Sequence, residues 1–177
     1  MENTFGKNII PANEVARLEA LAYYDVLDEL PDRYFSNLAH IIAATFNTPI
    51  ALVTFVRSNT VEYKANFGME GITSVDRGVS LCSLAVLDDD TTVFPDALHE
   101  PCLLGNPLVA GEFGLRFYAG APVITNDGFN IGTVCVVDKE PREFTENEKK
   151  ILNLFAENVM HELQMRKELH LITQNPK

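Results

Sequence analysis

Residues 115–138, LRFYAGAPVITNDGFNIGTVCVVD, decide how the chain is read. Two apolar runs, Leu115 to Ile124 and Ile131 to Val137, flank Asn126-Asp127-Gly128. Asp-Gly between apolar runs marks a hairpin turn, because glycine takes positive φ without steric cost. The second run is apolar on both faces, as a strand covered on both sides must be. It therefore belongs at the centre of a sheet, beside the other such run, Ile50 to Val56. After the turn residues Ser58 and Asn59 the period changes. Val61, Tyr63, Ala65 and Phe67 alternate with Glu62, Lys64 and Asn66, which predicts a half-exposed edge strand with the four apolar side chains on one face.

Working outward, helices are expected at both ends. Asn13 can cap a first helix with Val15, Leu18, Leu21 and Ala22 at helical spacing. Pro31 and Asp32 open a second, with Phe35, Leu38, Ala39, Ile42 and Phe46 on one face and a stop near Asn47 and Pro49. Thr145 and Glu148 form a capping box that starts the last helix, whose stripe is Ile151, Leu152, Phe155, Ala156, Val159 and Leu163. Thr173 to Lys177 read as a frayed tail. Between the hairpins, Gly68 to Gly114 show little periodicity beyond a short helix over Ser80–Leu87 and a short strand over Thr92–Phe94. Long irregular connections are more often functional than idle, so a ligand pocket is expected here.

The chain has 177 residues, 46% of them hydrophobic, with 14 basic against 25 acidic side chains and a net charge of −11. That describes one globular domain with a full core. No basic stripe exists to neutralise phosphates, so no nucleic-acid partner is expected. Cys82, Cys102 and Cys135 are an odd set without a Cys-x-x-Cys spacing, which argues against disulfides or structural zinc and fits a reducing compartment. No apolar run is long enough for a signal peptide or a membrane span, and a cytoplasmic location without membrane association is expected.

Several ordered segments resemble bacterial GAF domains. They are Asn13-Glu14, Arg17, Leu21, Tyr24, Leu27-Asp28 and Pro49-Ile50-Ala51-Leu52-Val53, then Ser80-Leu81-Cys82 and Pro95-Asp96-Ala97. Asn106-Pro107-Leu108-Val109, Arg116 to Pro122 and Ile131 to Asp138 follow. The resemblance is to the type found alone or N-terminal to histidine kinase and diguanylate cyclase modules, and it runs from about residue 11 to 168. It implies an α+β fold with a five- or six-stranded antiparallel sheet ordered 2-1-5-4-3 and helices on both faces. The expected layout is an N-terminal extension over residues 1–10, one GAF domain over 11–170 and a tail over 171–177. Relatives often read Ser-Phe-Cys-Ala-His where this chain has Ser80-Leu81-Cys82-Ser83-Leu84, and Asp-x-Arg-Phe where it has Glu100-Pro101-Cys102-Leu103.

The candidate ligand-binding residues are Cys82, Phe94, Asp96, Phe113, Arg116 and Tyr118. Cys82, opening a short helix, is either a redox thiol or chromophore anchor, or a small apolar residue packed on the sheet. Cys135, mid-strand, reads as core. Arg116 and Asp96 fall on adjacent strands, where they orient a ligand or pair with each other, and Phe94, Phe113 and Tyr118 supply an apolar wall. Lys139 and Glu148 can tie the last strand to the last helix. His161-Glu162-Leu163 superficially resembles a kinase phosphoacceptor box but reads as a solvated helix face, and His40, His99 and His170 lack the spaced partners a metal needs. No catalytic residue, metal or cofactor is assigned.

The expected function is therefore a non-catalytic sensory or regulatory domain of bacterial signal transduction, including two-component signalling. It would bind a small molecule between the sheet and residues 80–118 and relay through terminal helices to a kinase or cyclase output. The last helix continues past Leu163 through Met165, Leu169, Leu171 and Ile172, which predicts a homodimer through the N- and C-terminal helices. The alternatives are a protein-interaction or dimerisation module with a vestigial pocket, and a thiol enzyme like the free methionine-R-sulfoxide reductases.

Overall fold

In the computed structural model, which describes residues 2–25 and 33–174, the two doubly apolar runs are neighbours. Strand β1 (Ile50–Val56) is buried at every position and β6 (Asn130–Asp138) at all but its last. They pair antiparallel from Ile50 opposite Val137 to Phe55 opposite Gly132. Around them stand β2 (Thr60–Phe67), β3 (Ser74–Asp76), β4 (Thr92–Phe94) and β5 (Phe117–Ile124). The six-stranded sheet is ordered β3-β2-β1-β6-β5-β4 and antiparallel throughout. This is the expected order with one three-residue edge strand, β3, added beyond β2. Its residues, Ser74-Val75-Asp76, carry one apolar side chain between two polar ones and so lack the apolar run that marks a strand.

Helices α1 (Glu14–Asp25), α2 (Arg33–Phe46) and α5 (Glu146–Gln174) cover one face. They pack Phe35, Ile42, Leu152 and Val159 against Val53, Phe117 and Val134 of the sheet. The other face is covered by two single helical turns, α3 (Cys82–Ala85) and α4 (Pro107–Ala110), and by 3₁₀ turns at Ala97–His99 and Pro101–Leu103. Residues 2–10 join this second layer, outside the domain as the sequence delimited it. Phe5 and Ile9 are buried in it, and the Thr4 amide donates to the Gly78 carbonyl at 2.9 Å.

The expected α2 face is buried in full, while the start assigned to Pro31 and Asp32 lies outside the described residues, as do Leu27 and Asp28. The α1 stripe is corrected: Val15 is 74% exposed, and the buried face is Arg17, Leu21 and Tyr24. A guanidinium can face inward here because each of its three nitrogens donates a hydrogen bond. Arg17 binds Glu14 at 2.9 and 3.0 Å and the Val56 carbonyl at 2.7 Å. Fully buried Arg77 shares the same carboxylate and also donates to the Arg57 and Ile9 carbonyls. Burial alone would raise the Glu14 pKa. Hydrogen bonds from Arg77 and Arg17 outweigh it and hold the carboxyl below its ordinary range.

Two one-residue bulges correct the alternation expected for the strands. In β2, Val53 opposes Ala65 and Thr54 opposes Tyr63, so Lys64 is the extra residue. A bulge inverts every later side chain. Ala65 and Phe67 face the helices, while Val61 and Tyr63 face the second layer. In β6, Val123 opposes Gly132 and Ile124 opposes Asn130, which leaves Ile131 extra and facing the helices. Thr133, Cys135 and Val137 thereby alternate away from Val134 and Val136.

The capping box forms as expected: the Thr145 amide donates to Glu148 at 2.7 Å and the Glu148 amide to the Thr145 hydroxyl at 3.2 Å. With Glu148 so engaged, the expected Lys139–Glu148 tie is absent, and the Lys139 ammonium lies 5.1 Å from the Phe113 ring centroid. Helix α5 runs on through Thr173 to Gln174, past the expected start of the tail.

A Cβ at Gly132 would sit 2.0 Å from the Thr54 carbonyl oxygen, so only glycine lets β6 approach β1 at the bulge. Gly132→Ala is expected to destabilise the domain by about 1–3 kcal/mol, lowering Tm by roughly 3–10 °C in calorimetry. Gly105→Ala, where a Cβ meets nothing within 4 Å, serves as the neutral control.

Candidate functional site

The β2 bulge turns Tyr63 toward the second layer, and there the sheet and its cover leave a small cavity of about 30 Å³. Its floor is strand: Leu52 of β1, Tyr118 of β5 and Cys135 of β6. Its roof is the irregular connection, with Ser80, Leu81 and Cys82 from the α3 turn. Tyr63, Met69, Leu108 and Phe113 are half-buried and form the side open to the surface. The volume accommodates a water-sized molecule.

Beside this largely apolar lining, the same sheet face carries further buried polar groups. The Thr54 and Thr133 hydroxyls, opposite each other in the β1–β6 register, are hydrogen-bonded at 2.9 Å. Gly120 pairs with Cys135, and a Cβ at Gly120 would meet the Tyr118 hydroxyl oxygen at 2.2 Å. The tyrosine ring therefore lies down over the glycine, and its Oη, buried, finds no partner at hydrogen-bond geometry. Across the cavity, Cys82 Sγ lies 3.8 Å from Cys135 Sγ. Both thiols are buried and reduced.

These groups shift one another's proton affinity. Hydrogen bonding from Cys135, helped by the hydroxyls of Thr133, Tyr118 and Thr54 and opposed by burial, lowers the Cys82 pKa to about 6. Cys135 is held well above the ordinary thiol range, first by that same bond to Cys82 and then by burial. Burial, followed by the nearby thiols, raises Tyr118 and Tyr63. The pair thus gives up one proton readily and holds the second.

Of the six residues expected to bind ligand, Cys82, Phe113 and Tyr118 line the cavity. Phe94 stands behind the wall, its ring 6.2 Å from that of Tyr118. Asp96 and Arg116 lie outside it and are not paired with each other. Asp96 accepts from the Leu98 amide at 3.1 Å and faces His99 at 3.0 Å, while Arg116 donates to the Val109 and Leu115 carbonyls at 3.0 and 2.8 Å. The two segments do meet, but through main chain: the Ala97 amide donates to the Arg116 carbonyl at 2.6 Å. Among the cavity residues that sequence reasoning missed are Tyr63, hidden by the bulge, and Cys135, read as core filler. Cys135 could be found only by knowing that Cys82 sits above it. His161 is exposed on α5, as expected of a solvated face.

A titration of ultraviolet thiolate absorbance checks the coupled thiols. In native Cys102→Ser protein, one thiolate is expected with a midpoint of about 6 and none further through the ordinary thiol range. Adding Cys82→Ser should abolish the acidic step.

Comparison with known proteins agrees with this architecture. A family model described as GAF domain matches residues 31–163. A cyclic di-GMP phosphodiesterase of Pseudomonas aeruginosa is 34% identical over 151 residues, which is 85% of this chain and 26% of that protein. A diguanylate cyclase of Escherichia coli is 31% identical over 77 residues, 44% of this chain and 21% of that protein. The chain thus spans about a quarter of the length of the curated relatives it matches. Among solved structures, the GAF domain of an Acinetobacter phosphoenolpyruvate-protein phosphotransferase superposes with a TM-score of 0.63 at 13% identity, covering 89% of this chain and 98% of that one. A free methionine-R-sulfoxide reductase from Neisseria meningitidis gives 0.64 at 18% identity, covering 88% and 92%. At such identities these two structures speak for the fold alone. With the sheet order, the two-layer cover and the family model in agreement, the chain belongs to the GAF domain family.

Proposed function

We propose that this is a non-catalytic regulatory module of bacterial signal transduction, acting in the cytoplasm, which binds a small polar molecule in the Tyr118 cavity and relays its occupancy through the terminal helices. The observation that carries the reading is the Tyr118 hydroxyl, buried and unpaired at a cavity wall. Leaving such a group unsatisfied costs roughly 1–3 kcal/mol, and a ligand that hydrogen-bonds there removes that penalty. A ligand larger than a few atoms requires Met69 and Phe113, at the half-buried rim, to move outward. The relay has a short path: β5 and β6 carry Tyr118 and Cys135 on one face and, on the other, Phe117, Ala119 and Val134, which pack in the same core as Leu152 and Val159 of α5. A ligand that favours one cavity shape biases α5 by the difference in its affinity for the two states. The output module would be of the cyclic-di-GMP class borne by the relatives.

The same helix supports a symmetric homodimer. Its 29 residues span about 43 Å at ~1.5 Å per residue, beyond the reach of the sheet. Met165, Leu169 and Ile172 on it are 66%, 63% and 69% exposed, apolar surface that a partner helix would cover. A second reading, an interaction module whose pocket is vestigial, is favoured by one observation: the cavity is mostly filled by the domain's own side chains.

Two measurements test these readings. Native mass spectrometry of freshly purified protein should reveal a retained small molecule, with Tyr118→Phe weakening its binding about tenfold, equivalent to ~1.4 kcal/mol. Repeated emptiness, with no thermal shift across a metabolite panel, leaves the interaction module. Sedimentation equilibrium should give a dimer at tens of micromolar that Leu169→Glu with Ile172→Glu converts to monomer; a monomeric wild type sinks the dimer.

A further inference from the structure

We propose that Cys82 and Cys135 are a redox-active dithiol at the base of the cavity, which hydrogen peroxide converts to an intramolecular disulfide. This goes beyond the sensory reading, because it requires neither a bound metabolite nor turnover. Four observations converge on it. The two sulfurs already lie 3.8 Å apart, and a disulfide needs about 2.05 Å, so the gap closes by less than 2 Å. The two sulfurs stand on unlike supports. Cys135 is locked mid-strand between β1 and β5, whereas Cys82 rides on a single helical turn within a long irregular connection. The cavity beside them admits a molecule little larger than water, which fits hydrogen peroxide and rejects bulky oxidants. The sheet face beneath Cys82 also carries the paired hydroxyls of Thr54 and Thr133, which favour its thiolate.

The chemistry balances with peroxide as the sole oxidant. The Cys82 thiolate attacks one peroxide oxygen; an S–O bond forms, the O–O bond breaks, and hydroxide leaves and takes up a proton to become water. The Cys135 sulfur then attacks the Cys82 sulfenic sulfur; the S–S bond forms, the S–O bond breaks, and the hydroxyl leaves as water with the Cys135 proton. Two thiols lose two electrons and one peroxide becomes two waters. A dithiol reductant reverses the step by two thiol–disulfide exchanges and is itself oxidised to a disulfide. Both sulfurs belong to the cavity lining, so forming the bond changes the shape of the site and couples oxidation to ligand occupancy.

The test is a thiol count and a peptide map on the native chain treated with hydrogen peroxide and then denatured under an alkylating agent. Free thiols should fall from three per chain to one, the intact mass should drop by two hydrogens, and the map should join residue 82 to residue 135, with Cys102 still alkylated. Cys135→Ser should instead accumulate a sulfenic acid on Cys82 that a dimedone probe traps, and Cys102→Ser should leave the crosslink unchanged. Because the wild-type map needs no variant, a poorly folding mutant does not blur the result. Three intact thiols after treatment, oxidation confined to Cys102, or crosslinks only between chains would each overturn the proposal. None of these results depends on whether a metabolite binds, so the sensory reading stands or falls separately.

Discussion

A sheet buried on both faces leaves its central strands no water to fall back on. Every polar group on β1 and β6 must find its partner within the protein or go without, and much of the structure follows from how this is managed. The Thr54 and Thr133 hydroxyls satisfy each other across the central pair. The Asn130 amide donates to the Val86 and Asp88 carbonyls, tying the start of β6 to the covering connection. At the same end of the sheet, Arg17 reaches the Val56 and Asn130 carbonyls, and Arg77 reaches those of Arg57 and Ile9. Both guanidiniums share one carboxylate, Glu14. Removing it would leave two buried charges facing each other, the situation in which breaking a buried ion pair is most costly. The arrangement fastens α1, the N-terminal segment and the first hairpin to the sheet.

The Tyr118 hydroxyl goes without a partner, and it meets the Cys82–Cys135 pair at one cavity. Its asymmetry is physical. The floor is made of strands whose backbones are paired on both sides; the roof is a connection held by isolated turns. The strands carrying Tyr118 and Cys135 are also the ones α5 packs against. Cavity and long helix thus lie on opposite faces of one pair of strands.

The bulges show why part of this was hidden. Period-two alternation assigns a face to each residue only while the register holds. One extra residue at Lys64 sends Tyr63 into the cavity and Phe67 to the helices, although the sequence between them alternates without a flaw. Arg17 is a comparable case. Helical spacing nominated Val15 for the core, yet the charged side chain is inside because Glu14 and two main-chain carbonyls await it.

What the sequence determined by itself are features whose causes lie within a few residues. The Asp127-Gly128 turn, the Thr145–Glu148 capping box, the apolar stripe of α2 and the two doubly apolar strands each follow from local sterics, hydrogen bonding or hydrophobic period. The family resemblance supplied the strand order, and the observed sheet agrees with it. Tertiary structure decided what depends on distant residues meeting. It placed Cys82 over Cys135, 53 positions further along the chain, laid Tyr118 over Gly120, and turned the Arg116 donors to nearby carbonyls, not to Asp96. The physical reason is the same throughout. A side chain's partner is fixed by register and packing between elements, and nothing in local periodicity encodes a one-residue bulge or the reach of a buried guanidinium.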